Sequence, residues 1–515
     1  MSTAGSVIGV GVSFLSRGIR ATRRPTRVAP CPRSSLPRCD CSFRRPITVA
    51  SATSAPSSSS TEDDAYLELL ADKTKRVREL FHGGGFIPAR GVEVYASPKT
   101  RGYRSRCRFA IARDDDGRLR YALFENGEVV MLGDDDADED GDTDVFPWAS
   151  EPIARVMPVL LERLNDADDA NARVATGLSA VGFLASRGGE VVVTLWNRID
   201  AAGDHSGDAS NAGDAEWNDD ANALLSSLRA VGVVGVVTRR RRKKLCASNG
   251  VDHVWEPMTV PGVDVPGDEE SAPPGTVPGD EESAPPGTVP GDVGTARSPS
   301  RHLRYKQVEG AFSNPNGDVA EVTARWLHDV CEDILLARNE KGSGQGLTPV
   351  STLPWLLELY CGNGNHAVSL SPRFGRVTAV EIEPRLVAAA NENFAVNGVA
   401  NATVTASPAE TFARARTGTG CRGLLDGDDV DQSLADAWRD GTVLVDPPRA
   451  GLDADTLALV AGFRSVLYIA CDCASLARDL ESTLGKTHEV RRMALFDHFP
   501  GSRFCEVVVW LEAKA

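Results

Sequence analysis

The second half of the chain alternates apolar runs with amphipathic segments, and this alternation limits the possible folds more than any other feature. We interpret five runs as strands: Trp355–Leu359, Val377–Ile382, Ala402–Ala406, Thr442–Val445 and Val466–Ala470. Helical spacing marks four segments: Asp318–Leu336, Pro384–Asn397, Asp453–Phe463 and Ala474–Leu484. Such alternation predicts an α/β fold with a mostly parallel, doubly wound sheet. Two final runs, Val490–Phe496 and Phe504–Leu511, predict a terminal hairpin that makes the last strand antiparallel.

Residues suited to chemistry stand where four of these strands end. The glycine-rich turn Tyr360–Asn365 follows the first strand, and Glu381 lies at the end of the second. Asp446-Pro-Pro-Arg449 follows the fourth strand, and Cys471 follows the fifth. Because ligands of open α/β sheets bind beyond the carboxyl ends of the strands, these residues predict one active site.

The glycine turn favours a nucleoside cofactor. It is neither a G-x-G-x-x-G motif nor a P-loop, so a pyrophosphate is not expected. Glu381, about twenty residues further on, can hydrogen-bond ribose hydroxyls. This combination points to S-adenosylmethionine. The alternative is a turn that only connects strand to helix, and the carboxylates Glu381 and Asp446 at successive strand ends argue against it.

Cys471 and Glu506 are the candidates for the reaction itself. A cysteine at a strand end beside a cofactor turn is suited to be a nucleophile, whereas a free cysteine alone is more often an inert core residue. Cys473 is the competing thiol. Glu506 lies in an otherwise apolar strand, where burial predicts a general base with a raised pKa. A glutamate that reaches solvent from an edge strand is equally compatible with the sequence.

The N-terminal half predicts a separate α+β module over residues 62–254. It contains a predicted helix at Asp64–Phe81, short alternating runs between residues 91 and 132, a helix at Ile153–Leu164, and strands at Gly177–Ala185 and Glu190–Asn197. Acidic runs interrupt it at Asp134–Asp144, Asp166–Asp169 and Asp204–Asp220. Runs of this kind are usually solvated loops.

Residues 1–61 have the composition of an organelle transit peptide. They contain nine arginines, no lysine and one acidic residue, Asp40, among many Ser, Thr, Ala and Pro residues. The hydroxyl-rich composition and the poor amphipathic periodicity favour a chloroplast over a mitochondrial address. A disordered basic tail is the simpler alternative.

A twelve-residue repeat occupies much of residues 255–300. Val265–Thr276 recurs unchanged as Val277–Thr288, and a third copy begins at Val289. A segment of Pro, Gly and acidic residues cannot build a packed core, so we predict a disordered insertion that serves as a neutral spacer. The domain after it spans residues 301–515.

Charge and cysteine content bear on the partners. The net charge of −16 weakens a nucleic-acid role, although Arg101–Arg108 and Arg239–Lys244 are local basic runs. Whether the second run contacts RNA or is only solvated stays open. No run is long and apolar enough to predict a membrane span. Among eleven cysteines no zinc-binding spacing occurs, so we expect no metal.

Five segments resemble the RNA uracil-5-methyltransferases, a family of class I, Rossmann-like enzymes dependent on S-adenosylmethionine. The segments are Tyr305–Asn316, Leu357–Asn365, Val445–Asp453, Tyr468–Cys471 and Ala494–Pro500. By this resemblance Cys471 is the nucleophile and Glu506 the proton acceptor. The resemblance assigns the cofactor site to Gln307, Tyr360, Asn365, Glu381 and Asp446.

The resemblance also implies an RNA substrate. A weaker match at Tyr103–Arg106 implies that the N-terminal module recognises RNA. The four-cysteine iron–sulfur signature of the ribosomal RNA enzymes is not apparent, which favours tRNA, at its T-loop uridine, over ribosomal RNA. We also expect a monomer. Ribosomal RNA, a tRNA-folding chaperone with dispensable catalysis, and a protein or small-molecule methyltransferase remain alternatives. Asp472-Cys473 stand where the family usually has Asn-Pro, and the sequence offers no reason for this.

Overall fold

The computed structural model describes residues 58–125, 128–132, 146–166, 173–197, 210–240, 243–262, 300–343, 348–417 and 440–514. Nearly all of the predicted presequence, the twelve-residue repeat and the acidic run Asp134–Asp144 lie outside these residues. The helices are α1 Ser58–His82, α2 Glu151–Asn165, α3 Ser210–Leu228, α4 Gly317–Ser343, α5 Asn365–Leu370, α6 Pro384–Val396, α7 Ala409–Thr417, α8 Ala454–Val460 and α9 Cys473–Asp479. The strands are β1 Val92–Tyr95, β2 Arg106–Arg113, β3 Leu119–Glu125, β4 Glu128–Met131, β5 Leu178–Ala185, β6 Val191–Asn197, β7 Val233–Arg240, β8 Lys243–Cys246, β9 His253–Val260, β10 Arg301–Val308, β11 Leu353–Leu359, β12 Phe374–Glu381, β13 Ala402–Ala406, β14 Thr442–Val445, β15 Ser465–Ala470, β16 His488–Phe496 and β17 Glu506–Ala513.

An eight-stranded sheet forms the centre of the C-terminal half, in the order β1-β16-β17-β15-β14-β11-β12-β13. Strands β13, β12, β11, β14 and β15 are mutually parallel. All residues of β14 and β15 are buried, as expected for parallel strands covered on both faces. Successive residues such as Leu356 and Leu357 belong to two different core clusters, one on each face. The predicted doubly wound sheet is therefore confirmed.

The terminal hairpin is also confirmed. β17 pairs antiparallel with both β15 and β16, so it lies inside the sheet and not at an edge. Its central residues Val507–Leu511 are buried. This position excludes the interpretation of Glu506 as an edge-strand residue.

The predicted N-terminal boundary is wrong. β1 pairs parallel with β16 of the C-terminal sheet, with Val92 opposite Met493. α1 packs Leu70 and Val77 into the same core cluster as the strands. Residues 62–95 therefore belong to the C-terminal unit, because a four-residue strand gains its stability from the sheet edge that it joins and not from its own sequence.

The N-terminal module proper is a seven-stranded sheet in the order β4-β3-β2-β5-β6-β7-β8. Its pairs are antiparallel except β6 with β7. α2 covers it through apolar residues spaced three and four apart: Ile153, Val156, Met157, Leu160 and Leu164. Pro152 stands in the first turn of this helix, where a missing N–H costs nothing.

Two further expectations for this half are wrong. Residues 255–260 do not belong to the insertion, because β9 pairs antiparallel with β10 and Val260 lies opposite Arg301. The acidic run Asp204–Asp220 is not wholly a loop, since α3 includes residues 210–220. Trp217 is buried in the core, and buried Asp220 is neutralised by Arg173 at 2.6 Å. Paired acidic residues can thus occupy a packed helix despite their density in sequence.

Candidate active site

The glycine turn lies between β11 and α5 and needs unusual backbone conformations. Gly362 and Gly364 both have positive φ, and a Cβ on Gly364 would lie 3.1 Å from the ring of Phe394. Tyr360, with φ of 63°, is the sole non-glycine residue with positive φ among the described residues. Such strain costs on the order of 1–3 kcal/mol and concentrates at ligand sites. The backbone of this turn is therefore typical of a turn that binds a ligand.

Glu381 at the end of β12 supports this turn. Its Oε2 accepts a hydrogen bond from the Gly362 N–H at 3.0 Å, and its Oε1 accepts one from the Glu383 N–H at 2.8 Å. The carboxylate is 8% exposed and is held in place by backbone donors alone. Because each oxygen can accept more than one hydrogen bond, the group can still receive two ribose hydroxyls.

β10 is tied to the opposite side of the turn. The Tyr305 hydroxyl donates to the Asn365 carbonyl at 3.1 Å, and the Asn363 amide donates to the Lys306 carbonyl at 3.0 Å. Buried Asn393 joins the two segments, since it accepts from Lys306 N–H at 2.7 Å and donates to the Asn363 carbonyl at 2.9 Å. Sequence analysis did not identify Asn393, whose position inside a helix carries no signal. Gln307 is thereby placed beside the turn.

These residues fit a nucleoside cofactor. Gln307 Oε1 is buried and has no hydrogen-bond partner among the described residues, which indicates that a ligand donor satisfies it. The Tyr360 side chain is half-buried, and burial raises its pKa to about 12, so it stays neutral. Tyr360, Asn365 and Glu381 lie on or against the turn between β11 and α5, and Gln307 follows the residue whose carbonyl is bonded to that turn. S-adenosylmethionine has the ribose, amino acid and adenine groups that such a set can hold.

The structure brings Cys471, Asp446 and Glu506 together at neighbouring strand ends. Ala470 pairs with Val507 across β15 and β17, so the next residues along, Cys471 and Glu506, face each other. Burial, together with the charges of Glu506 and Asp446, raises the pKa of the Cys471 thiol to about 11, and Arg449 opposes the shift. The thiol is thus protonated until a ligand or a base changes its surroundings.

The prediction of a raised pKa for Glu506 is wrong. Burial does act to raise it, but the attraction and hydrogen bond of His498 outweigh burial and lower the pKa. His498 Nε2 lies 2.8 Å from Glu506 Oε2, and this ring is 1% exposed. The pKa of neighbouring Asp446 moves in the opposite direction, well above its usual range, because of burial and the charge of Glu506. Sequence analysis missed His498 because it lies in a turn between two strands.

The unusual pair after the nucleophile has a local explanation. Asp472 is the N-cap of α9, and its Oδ2 accepts from the Ser475 N–H at 3.1 Å. Aspartate and asparagine are about equally good N-caps, so the change from Asn leaves the turn intact. Cys473 takes the first helical position, where proline is favoured but not required. Its thiol hydrogen-bonds Cys505 and not the predicted site residues.

The basic run Arg239–Lys244 is in part neutralised within the protein. Arg239 pairs with buried Glu309 at 2.7 Å, and Lys244 pairs with Asp252 at 2.6 Å. These two side chains hold β7 and β8 against the segment after β10, so they are structural. Within the described part of the chain, no group of three or more His, Cys, Asp or Glu could hold a metal ion. No described helix is long and apolar enough to cross a membrane.

The reactivity of Cys471 toward an alkylating agent should report its raised pKa. We expect the rate of modification by iodoacetamide, followed by peptide mass spectrometry, to keep rising at about pH 10, because only the thiolate reacts. Glu506→Gln removes a nearby negative charge and should shift this profile to lower pH. Glu489→Gln, on the exposed part of β16, is the matched control and should leave it unchanged. A plateau near neutral pH in the unsubstituted protein would contradict the burial argument.

Comparison with known proteins gives concordant results. The family model described as tRNA (Uracil-5-)-methyltransferase matches residues 65–265 and 295–514. A tRNA/tmRNA (uracil-C(5))-methyltransferase of Chromohalobacter salexigens is 33% identical over 88% of this chain and 97% of its own length. The enzyme of the same description from Shewanella amazonensis is 32% identical over 87% and 97%. The crystal structure of a Pyrococcus abyssi tRNA (uracil-54, C5)-methyltransferase in complex with S-adenosyl-L-homocysteine aligns with a TM-score of 0.50 at 15% identity, over 87% of this chain and 83% of that one.

Proposed function

The chain belongs to the tRNA (uracil-5-)-methyltransferase family of S-adenosylmethionine-dependent enzymes, and we propose that it methylates C5 of uridine 54 in the T-loop of tRNA through a covalent Cys471 adduct. One observation carries the mechanism. Ala470 lies opposite Val507 at the end of the β15–β17 ladder, so Cys471 and Glu506 are the next residues of the two segments at this edge.

The pyrimidine needs a nucleophile because C5 of uracil reacts poorly with a methyl donor. In the proposed mechanism the Cys471 thiol first loses its proton to solvent, the resulting thiolate adds to C6, and the C5–C6 π electrons move toward C5 and the C4 carbonyl. S-adenosylmethionine, when bound, supplies the electrophilic methyl group that C5 takes. Gln307, Tyr360, Asn365 and Glu381 would hold it, with Asp446 at the junction of the cofactor and uracil sides.

The adduct must then lose the proton on C5. The Glu506 carboxylate accepts this proton, and the electrons of the C–H bond re-form the C5–C6 double bond. The C6–sulfur bond breaks in the same elimination, and its electrons return to Cys471 as thiolate. Because its pKa is lowered, Glu506 is ionised and able to accept a proton at neutral pH.

The surroundings of the thiol suit RNA. Exposed Arg449 and Arg503 both lie close to Phe504, with their guanidinium carbons 5.1 and 5.5 Å from its ring centroid. Guanidinium groups at the mouth of the site provide the local positive potential that phosphates need, despite the negative net charge. Since Cys471 is more than half-buried, the uridine must leave its stack to reach it.

Trapping with 5-fluorouridine tests the mechanism. Fluorine at C5 cannot leave as a cation, so RNA containing it should stay bound to the protein through C6. A tRNA transcript with this substitution should give a denaturation-resistant complex that a Cys471→Ala variant does not form. Absence of the complex with the unsubstituted protein would overturn the covalent mechanism.

The substrate and the cellular address are part of the same proposal. The match of the chain to tRNA-modifying relatives over nearly their whole length supports tRNA above ribosomal RNA. Methylation of organellar tRNA and ribosomal RNA in parallel, with mapping of the modified base, decides between them. The basic composition of residues 1–61 supports a chloroplast address, which a fluorescent fusion of that segment tests. We also propose a monomer that needs no metal, since one chain supplies every group that the mechanism uses.

A further inference from the structure

Two carboxyl groups compete for the role of base in the active site. Asp446 follows β14, Glu506 begins β17, and each raises the energy of a negative charge on the other. Two interacting carboxyls in a buried site do not both ionise at neutral pH without help. The titratable groups that face Glu506 are His366 on α5, His498 in the turn before β17, and Asp446 and Cys471 at the neighbouring strand ends.

His498 distinguishes the two carboxyls by geometry. Its Nε2 lies 2.8 Å from Glu506 Oε2, whereas the ion pairs of the described residues include none between His498 and Asp446. The second ring nitrogen, Nδ1, is buried and has no partner in the described part of the chain. An ionised carboxylate oxygen can only accept, so Nε2 carries a hydrogen and donates it to Glu506.

The ring is held rigidly. Three hydrogen bonds fix the turn that carries it. Lys73 donates to Asp497 Oδ1 at 2.7 Å and to the Phe499 carbonyl at 2.9 Å, and Asn316 donates to the His498 carbonyl at 3.4 Å. The Thr323 hydroxyl lies 3.4 Å from Nε2. A donor fixed in this way can orient Glu506 without moving during the reaction.

We propose that His498 is a positioning residue that holds Glu506, and not Asp446, as the ionised carboxylate that removes the C5 proton. This inference rests on the proposed mechanism. His498 occupies Oε2 of the carboxylate, which leaves Oε1 to accept the proton from C5. Burial and the charge of Glu506 raise the pKa of Asp446 well above its usual range, so Asp446 is the less suited of the two carboxyls to take the proton from C5.

Substitution of His498 should slow proton removal after the adduct has formed. With unmodified tRNA, His498→Leu should accumulate a covalent protein–RNA complex carrying the transferred methyl group, visible with a labelled methyl donor. We expect kcat to fall roughly 10- to 100-fold with KM for RNA nearly unchanged, in the range of a weakened general base. His302→Leu, at an exposed position, is the matched control and should behave as the unsubstituted protein.

The pH profile separates positioning from a merely structural role. Without the donor the pKa of Glu506 rises. When the pH is lowered, the His498→Leu variant should therefore lose activity at a higher pH than the unsubstituted protein does. His498→Gln keeps an N–H donor. It should therefore have most of the kcat of the unsubstituted protein and lose activity at nearly the same low pH (the acid limb of the pH profile). His498→Asn is polar but too short to reach Glu506, and should resemble His498→Leu; it also keeps the test available if the leucine variant does not fold.

The outcomes distinguish this inference from the mechanism on which it rests. If the unsubstituted protein forms no complex with 5-fluorouridine RNA, the covalent mechanism fails. If it forms that complex, and His498→Leu and His498→Asn accumulate no methylated adduct and keep an unchanged acid limb, the role of His498 is wrong. Accumulation of the adduct with rescue by His498→Gln supports it.

Discussion

Replacing Cys471 with serine is expected to reduce the formation of 5-methyluridine in tRNA by roughly 10⁴-fold or more, the size of effect seen when a covalent nucleophile is removed. A serine hydroxyl is far less acidic than a thiol, and this site already disfavours a negative charge at position 471 through burial and two nearby carboxyls. The measurement is transfer of a labelled methyl group to a tRNA transcript. Cofactor binding, followed by calorimetry, should stay within about twofold, because Cys471 lies on the uracil side.

Cys473 provides the control for this experiment. It lies two residues further on, begins α9 and contacts Cys505. Cys473→Ser should therefore keep activity within about threefold, a change of well under 1 kcal/mol. If Cys473→Ser abolishes methylation and Cys471→Ser does not, the nucleophile is Cys473 and the register argument fails. If both variants stay active, the chain methylates RNA without a covalent thiol adduct.

The fold of the C-terminal half could be predicted from sequence because its signals are local. Strands β13 and β14 begin and end where the apolar runs do, at Ala402–Ala406 and Thr442–Val445. A strand buried on both faces must be continuously apolar, and the helices between them show their own periodicity. The strand ends then follow, and with them the positions of Glu381, Asp446 and Cys471.

What could not be predicted depends on partners distant in sequence. Val92 pairs with Met493, and no window of sequence shows that four residues near the N-terminus complete the edge of a sheet built by the last third of the chain. The extension of β9 into the predicted insertion has the same cause, since its partner β10 follows the repeat. Local composition marks the repeat, which lies outside the described residues, but not where the flanking strands begin and end.

The electrostatics of the site were likewise predictable only where they depend on local sequence. Burial of Glu506 was predictable from its apolar strand, and burial alone raises a carboxyl pKa. The pKa of Glu506 is instead lowered, because His498 lies 2.8 Å away, brought there by the turn between β16 and β17. A glutamate in an apolar strand can be predicted to be buried. The direction in which its pKa shifts depends on which charged group lies next to it.

Removing the buried cation Lys73 is expected to destabilise the protein by about 3–5 kcal/mol, the usual cost of leaving one member of a buried ion pair behind. Lys73 and Asp497 are both fully buried, and their charged atoms lie 2.7 Å apart. Lys73→Met keeps the length of the side chain and deletes the charge. The effect would appear in urea unfolding as a lower midpoint at unchanged slope.

Lys75 is the matched control on the same helix. Its side chain is 72% exposed, and its distance to Glu79 is 4.0 Å, so Lys75→Met should change the free energy of unfolding by less than about 0.5 kcal/mol. A similar small change for Lys73→Met would show that Asp497 finds another partner or takes up a proton.

The double variant Lys73→Met/Asp497→Leu tests the cause of this destabilisation. It removes both charges, so it should recover part of the stability lost by Lys73→Met alone, because no unpaired carboxylate remains buried. It should not recover activity. Lys73 and Asp497 anchor the turn that presents His498 to Glu506, and an apolar pair cannot supply the hydrogen bond from Lys73 to the Phe499 carbonyl. The double variant should therefore be more stable than Lys73→Met but no more active. If the ion pair serves stability alone, the double variant should regain both stability and activity.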